Sequence, residues 1–451
     1  MNFLKDEALA QLAKEWNVAS FASFSPDSSG VRHAVLPESL VSDDTSLESL
    51  STSLLSISGS VNVRTFADGL KSGPFVYGVE EVEDVRAIVG RNSEAGLYSI
   101  VNETIDVSDG GVSGVSLGGI AEFAPDATPR TVEAADNASL PIDVAERLLR
   151  IVYGPAVQLP ADRGKRFEFS VHHRPVGYRR DHVLVWEIED VKPVALEHTY
   201  DWPNRFSNLI GDKTFGLLLA HVLGAPVPLT TAVGRRVAPF TFGTETGASG
   251  AWLRTAPAVQ TAGKYTTSPF WQDPFALLAE EDPDRVVAAV LSQAPVRAIY
   301  SGATAPLATS GEHVIEGVAG PGDAFMQGVQ APVELPCHVV EDVRNVLQYL
   351  GKWIRGLRAE WAHDGKMAWI LQLHAGAIAS SDGSMLSPGE ASEWIHFDAS
   401  RGIKDLRRLA AEFSGRGVGI VVAGEIGVTS HIGDILREAG IPAKLERGAR
   451  H

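Results

Sequence analysis

Residues 210–233 read IGDKTFGLLLAHVLGAPVPLTTAV, a turn, a helix and a strand in succession. Gly211 can make a tight turn, and Lys213 follows at the start of the helix. Phe215, Leu218, Leu219 and Val222 recur on one helical face. Gly224 stops the helix, and Pro226 and Pro228 lead into a strand. A lysine at such a turn can meet a phosphate, because the unpaired N–H groups of the first helical turn and the cation point the same way. Taken alone, Lys213 reads more simply as an exposed lysine in the first helical turn.

Three further segments carry chemistry-bearing residues. WLRTAPAVQTAGKYTT (252–267) has Arg254 at the end of a short strand and Gly263 and Lys264 in a small-residue loop. Arginine offers a planar fork to phosphate oxygens, and a glycine loop lets backbone approach them. VIEGVAGPGDAFMQGVQAPVELP (314–336) places Glu316 and Asp323 among turn-forming glycines, where they could touch sugar hydroxyls or a metal. RAEWAHDGKMAWILQLHAG (358–376) has Asp364-Gly365 between two apolar runs, a hairpin signal. Glu360 lies on one arm and Gln372 on the other, and oxygen ligands of this kind suit Mg2+. A two-residue turn would pair Glu360 with Trp369 and put Gln372 on the opposite face, so a bulge or a longer loop is required to join them. Each segment alone also reads as an ordinary polar loop or sheet connection.

The last segment is GIVVAGEIGVTSHIGDILREAGIPAKL (419–445). Residues 419–423 read as a buried strand, and Thr429 or Ser430 can cap a helix whose apolar face is Ile432, Ile435, Leu436 and Ala439. His431 then stands at a helix N-terminus, where a bound anion is stabilised.

In this order the segments resemble the phosphoenolpyruvate synthase and pyruvate phosphate dikinase family. Its GGK turn and G-[LIV]-P-V-P step are similar to Gly211-Asp212-Lys213 and Gly224 to Pro228. Its Arg-Ser-Ser and SFAG stretch resembles Arg254-Thr255 and Thr261 to Gly263, and its GLGE stretch resembles Gly320 to Asp323, with Gly328 and Pro332 at matching spacing. Its E-W…LQ ending resembles Glu360-Trp361 and Leu371-Gln372. Its phosphohistidine signature resembles Gly427, Thr429 to His431, and Arg437 to Pro442. The resemblance implies an ATP-grasp nucleotide-binding domain followed by a small swivelling domain. It implies ATP and Mg2+ as cofactors, with Lys213, Arg254, Gly263, Lys264, Glu316 and Asp323 on the nucleotide. Glu360 and Gln372 would hold the metal, and His431 would be the nucleophile that accepts phosphate. Asp212 replaces a family glycine, Asp323 a glutamate, and the closing Arg-Pro is lost around Leu373-His374. The family's phosphoenolpyruvate/pyruvate barrel has no counterpart, since residues 1–200 do not read as eight strand–helix repeats.

The expected fold class is α+β (mixed α/β), in three parts. These are a strand-rich 1–200, an ATP-grasp-like 201–375 and a swivelling-type 376–451, with seams at 199–207 and 374–388. Helices are expected at 143–153, 213–223, 284–293, 340–358, 402–413 and 432–439, with an amphipathic helix opening the chain. Strands are expected within 60–66, 97–107 and 182–189. IVNETIDVSDGGVSGVSLG (100–118) and VLSQAPVRAIYSGATAP (290–306) share a pattern, as do 167–189 and 358–373, which suggests a duplication. The first part is then either an acceptor domain or a degenerate ATP-grasp copy with Arg64, Asn102, Glu168 and Glu187 at related positions.

The chain has 451 residues, a formal charge of −17 and a single cysteine, Cys337. An acidic chain is a poor partner for nucleic acid. No apolar run is long enough to span a membrane, and residues 1–18 carry too many acids for a signal peptide, so a cytoplasmic protein is expected. The functional expectation is an ATP-dependent phosphotransferase acting through His431 on an unidentified small-molecule or protein acceptor. A non-catalytic nucleotide-binding subunit and a carboxylate–amine ligase are the alternatives, and a partner subunit or homo-oligomer is left open.

Overall fold

The computed structural model describes residues 4–446 except 28–29, 68–71, 129–135, 193–199, 201, 259–266, 269, 283, 308–311 and 376–384. The chain forms two compact units, Met1–His198 and Thr199–His451. The fold is mixed α+β.

In the first unit the order is α1 (Lys5–Glu15), β1 (Phe21–Phe24), β2 (Val31–Val35), α2 (Leu47–Ser58), β3 (Val61–Phe66), β4 (Ser72–Val79), α3 (Val82–Glu94), β5 (Tyr98–Glu103), β6 (Val112–Leu117), β7 (Ile120–Pro125), β8 (Ala138–Pro141), α4 (Ile142–Tyr153), β9 (Lys165–Val176) and β10 (Asp181–Asp190). Two sheets result, ordered β2-β1-β5-β3-β4 and β10-β9-β6-β7-β8. Helix α2 shows the local logic. Ser46 caps it by accepting from the Ser49 N–H, Leu50 and Leu54 enter the core beside Val61, Val63 and Val101, and Gly59 ends it at φ 74°.

The second unit continues with α5 (Arg205–Ile210), α6 (Asp212–Val222), β11 (Thr230–Gly234), β12 (Phe240–Phe242), β13 (Trp252–Pro257), β14 (Thr267–Ser268), α7 (Pro274–Glu281), β15 (Val287–Gln293), β16 (Tyr300–Pro306), β17 (His313–Ala319), α8 (Asp323–Met326), α9 (Cys337–Leu350), β18 (Arg358–His363) and β19 (Ala368–His374). These give a five-stranded sheet, β12-β11-β15-β13-β14, and a four-stranded one, β17-β16-β18-β19. A last group follows, β20 (Met385–Ser387), β21 (Glu393–Asp398), α10 (Gly402–Phe413), β22 (Val418–Ala423), α11 (His431–Glu438) and β23 (Ala443–Leu445). Its sheet, β20-β23-β22-β21, has its own core of Leu386, Phe397, Leu406, Ile420, Val422, Ile432 and Leu436.

Two helix expectations fail. Residues 284–293 contain β15 rather than a helix, because the valine-rich run sits between β11 and β13 and pairs with both. A short apolar run of this kind fits either state, and pairing on both sides decides it. The helix expected over 340–358 ends at Leu350, and Gly356 at φ 60° turns the chain into β18. Arg254 lies inside β13, not at its end.

Helix α6 rests on β19 at Gly216, where an added Cβ would come within 2.4 Å of the Leu373 carbonyl oxygen. Gly90, exposed in α3, has nothing within 4 Å of an added Cβ. Gly216→Ala is therefore expected to lose about 1–3 kcal/mol in urea unfolding through overpacking. Gly90→Ala should gain up to about 1 kcal/mol from helix propensity. Equal effects at the two positions would refute the close packing of α6 on β19.

Candidate functional site

The hairpin of β18 and β19 organises the site. Its loop is longer than the two-residue turn, with His363 paired to Ala368 across residues 364–367. Asp364 holds that loop by accepting from the Lys366 and Met367 N–H groups and from the Trp369 indole. Further along, a register shift leaves Leu371 as the extra residue, so that Glu360 pairs with Gln372 and Arg358 with His374. Directly paired residues share a sheet face, so all four side chains stand together. The same row runs on through Ala303 to Glu316.

The bulge has a second effect. It aims the Leu371 carbonyl at Arg254, whose Nη1 donates to it at 3.0 Å and lies 3.9 Å from Glu360 Oε2. The Arg254 Nε is buried without a hydrogen-bond partner, as is the Arg358 Nε. Lys213 stands in the first turn of α6 beside them. Burial and then the neighbouring Arg254 push its pKa down to about 8, against a smaller pull from Glu360 and Asp212. Asp212, 5% exposed, has its carboxyl pushed up to about 7 by burial, and its Oδ1 has no hydrogen-bond partner. Burial would raise the Glu360 carboxyl too, yet Arg254 and then His431 hold it below the usual carboxylate range.

Gln372 is buried, and its Nε2 lies 2.6 Å from His374 Nε2. Burial pushes the His374 imidazole down to about 3, so it is neutral and its free nitrogen can accept from the amide. That orientation leaves the Gln372 amide oxygen for other partners.

The segment after β22 closes onto this face. Glu316 Oε2 accepts from both the Thr429 N–H (2.9 Å) and its hydroxyl (2.8 Å). Arg358 donates to the Thr429 carbonyl and forms an ion pair with Asp434. Asp434 also accepts from Arg437 at 2.8 Å and faces His431 Nδ1 at 3.3 Å. Burial opposes its ionisation, but Arg358 first, then His431 and Arg437, hold the carboxyl far below its ordinary value. Gly427 and Gly328 allow this approach, since added Cβ atoms there would meet Phe325 and Ile432 at 2.7 and 2.5 Å. Ser430 takes the N-cap position of α11, but its hydroxyl donates to the Gly427 carbonyl instead of capping.

Lys213, Arg254, Glu360, Gln372, Glu316 and His431 are thus gathered in one neighbourhood. Asp323 is exposed at the start of α8 and joins Arg254, Glu360, Gln293 and Ser301 in lining a cavity of about 140 Å³. Gly263 and Lys264 lie outside the described residues. Among the described residues no three His, Cys, Asp or Glu side chains form a metal-holding group. Arg358 and Asp434 were not singled out from sequence, and His374 was noted only as a departure from the family's closing Arg-Pro. The only signal for Asp434 was its place three residues from both His431 and Arg437, on one helix face.

No family model matches the chain, and no curated protein matches it. Among solved structures the chain is similar to D-alanine-D-alanine ligase from Helicobacter pylori, at 9% identity and a TM-score of 0.26 over 38% of this chain and 52% of that one. It is also similar to the macrocyclase MdnC bound to precursor peptide MdnA from Microcystis aeruginosa MRC, at 11% identity and a TM-score of 0.21 over 38% and 54%. The chain spans about half the length of these structures, and overlap at this level carries no functional argument. Among the described residues no helix is long and apolar enough to cross a membrane.

Two measurements probe this arrangement. Asp434→Ala leaves Arg358 buried without its carboxylate and should cost about 3–5 kcal/mol in denaturant unfolding. A loss below about 1 kcal/mol would mean that Asp434 does not hold the segment. For His374 the folded pKa of about 3 lies below the ordinary 6.5, so the unfolded chain binds the extra proton between those values. Stability then falls as pH drops through that window. The urea midpoint of wild type should drop more steeply from pH 6.5 to 4 than that of His374→Asn, and parallel curves would show that His374 is not held neutral.

Proposed function

We propose that Thr199–His451 carries out ATP- and Mg2+-dependent phosphotransfer, with His431 as the phosphate-accepting nucleophile. The observation that carries this reading is Glu360. Its carboxylate lies 3.9 Å from Arg254 Nη1 and shares a strand face with Arg358, whose ion pair with Asp434 brings in His431, so the candidate metal ligand, the candidate phosphate-binding cation and the candidate nucleophile lie in one neighbourhood.

Lys213 and Arg254 fit the triphosphate. Lys213 keeps its charge at neutral pH despite burial, and the unpartnered Arg254 Nε is a donor still in need of an acceptor. Mg2+ usually keeps several waters and takes one or two protein carboxylates plus phosphate oxygens, so Glu360 and the amide oxygen of Gln372 suffice as its protein ligands. Bound there, it would neutralise charge on the transferring phosphoryl group. Asp434 accepts from His431 Nδ1, which leaves Nε2 with its lone pair free. That lone pair forms the N–P bond, the bridging P–O bond breaks, and its electrons leave on the nucleotide oxygen. Catalysis rests on positioning and charge neutralisation. The phosphate would pass on to a small-molecule or protein acceptor.

A second reading, a nucleotide-binding subunit without turnover, is favoured by the cavity. At about 140 Å³ it is smaller than the ~300–1,000 Å³ of usual ligand pockets. The two readings separate in one assay. Incubation with β- and γ-labelled ATP and Mg2+ should give an acid-labile, base-stable phosphoprotein, abolished in His431→Ala. Lys213→Met should weaken nucleotide binding about 10- to 100-fold. Tight ATP binding with no label would favour the subunit reading, and label that persists in His431→Ala would remove His431 from the mechanism.

A further inference from the structure

The two units repeat one design. The five-stranded sheets β2-β1-β5-β3-β4 and β12-β11-β15-β13-β14 have the same order when read in chain sequence. So do β10-β9-β6-β7 and β19-β18-β16-β17, with β8 as an extra edge strand. Helices α1, α3 and α4 stand in the chain order of α6, α7 and α9, and α2 is an insertion.

The agreement extends to register. Arg64 on β3 pairs with Ile100, as Arg254 on β13 pairs with Leu291. Glu122, Val115, Glu168 and Glu187 form a row across the second sheet, as Glu316, Ala303, Glu360 and Gln372 do. The hairpin bulge recurs, with Trp186 as the extra residue in one copy and Leu371 in the other. The same Ser-Gly pair precedes the row. Added Cβ atoms on Gly114 and Gly302 would strike the carbonyl oxygens of the equivalent Glu122 and Glu316, at 2.5 and 1.9 Å. A shared bulge and a shared close approach are not demanded by strand pairing alone.

The charges differ where it matters. Opposite Arg166 stands Glu189, where His374 stands opposite Arg358. Arg166 is therefore tied within its own sheet, to Glu168 at 2.8 Å and near Glu189 at 3.9 Å. Gln372 becomes Glu187. The first turn of α1 carries Asp6 and Glu7, both paired with Arg32, where α6 carries Lys213. A triphosphate placed against this face of the first unit would meet Glu187 and Glu189 where the second unit has Gln372 and His374, and no lysine matching Lys213, which opposes binding.

We propose that the chain is a tandem of two copies of one nucleotide-binding fold. The N-terminal copy has been closed electrostatically, so the whole protein binds one nucleotide, in the C-terminal copy. This rests on the nucleotide reading above. The test is calorimetric titration of the full chain with Mg2+ and a non-hydrolysable ATP analogue. Wild type should bind one equivalent. Lys213→Met with Arg254→Met should lose about 100-fold or more in affinity. Glu168→Gln should leave affinity and stoichiometry unchanged, with near-ultraviolet circular dichroism confirming that each variant is folded. Two equivalents in wild type would overturn the inference while leaving the nucleotide reading intact. So would one equivalent surviving in the double variant and lost on adding Arg166→Met. No binding in wild type would remove both.

Discussion

A carboxylate withdrawn from water must find positive charge or it will not stay ionised, and Asp434 finds it on two sides. Arg437, one helical turn along α11, secures it within its own segment. Arg358, on β18, secures it to a sheet built from residues some seventy positions earlier. The same carboxylate faces His431. One buried anion thus joins a segment that has its own hydrophobic core to the face where Glu360, Gln372 and Arg254 converge, and it fixes a ring nitrogen of the histidine in doing so.

What gives that face its composition is a single extra residue. Without Leu371 bulged out of β19, Gln372 would point away from Glu360 and the Leu371 carbonyl would be used in the ladder rather than by Arg254. The bulge turns a hairpin with residues on two faces into a row of polar side chains on one. The corresponding bulge in the first unit aligns Glu187 with Glu168, so the backbone device is retained while an anionic glutamate stands in place of the neutral glutamine.

Much of this was legible in the sequence, for identifiable reasons. Helix α6 declared itself through Gly211, its apolar stripe and Gly224, because local steric rules fix such elements. Strand β22 and helix α11 were equally plain. The need for a bulge between Glu360 and Gln372 followed from strand alternation, though its position did not. Residues 284–293 misled because an apolar run between two partners becomes a strand by pairing, which a local pattern does not contain. Asp434 and Arg358 escaped notice for the same reason. Each is an unremarkable polar residue until the fold brings it to a partner. The weak repeat between 100–118 and 290–306 falls on β5–β6 and β15–β16, which occupy matching places in sheets of matching strand order.

The central claim is that one cleft in Thr199–His451 holds the nucleotide and its metal within reach of His431. The most direct measurement is a crystal structure of the full chain grown with Mn2+ and a non-hydrolysable ATP analogue, with anomalous scattering used to locate the metal. The account predicts an anomalous peak bound by Glu360 and the Gln372 amide oxygen. The terminal phosphate should lie between Lys213 and Arg254, on the side facing His431. A metal and nucleotide found together elsewhere, away from Glu360, would contradict it.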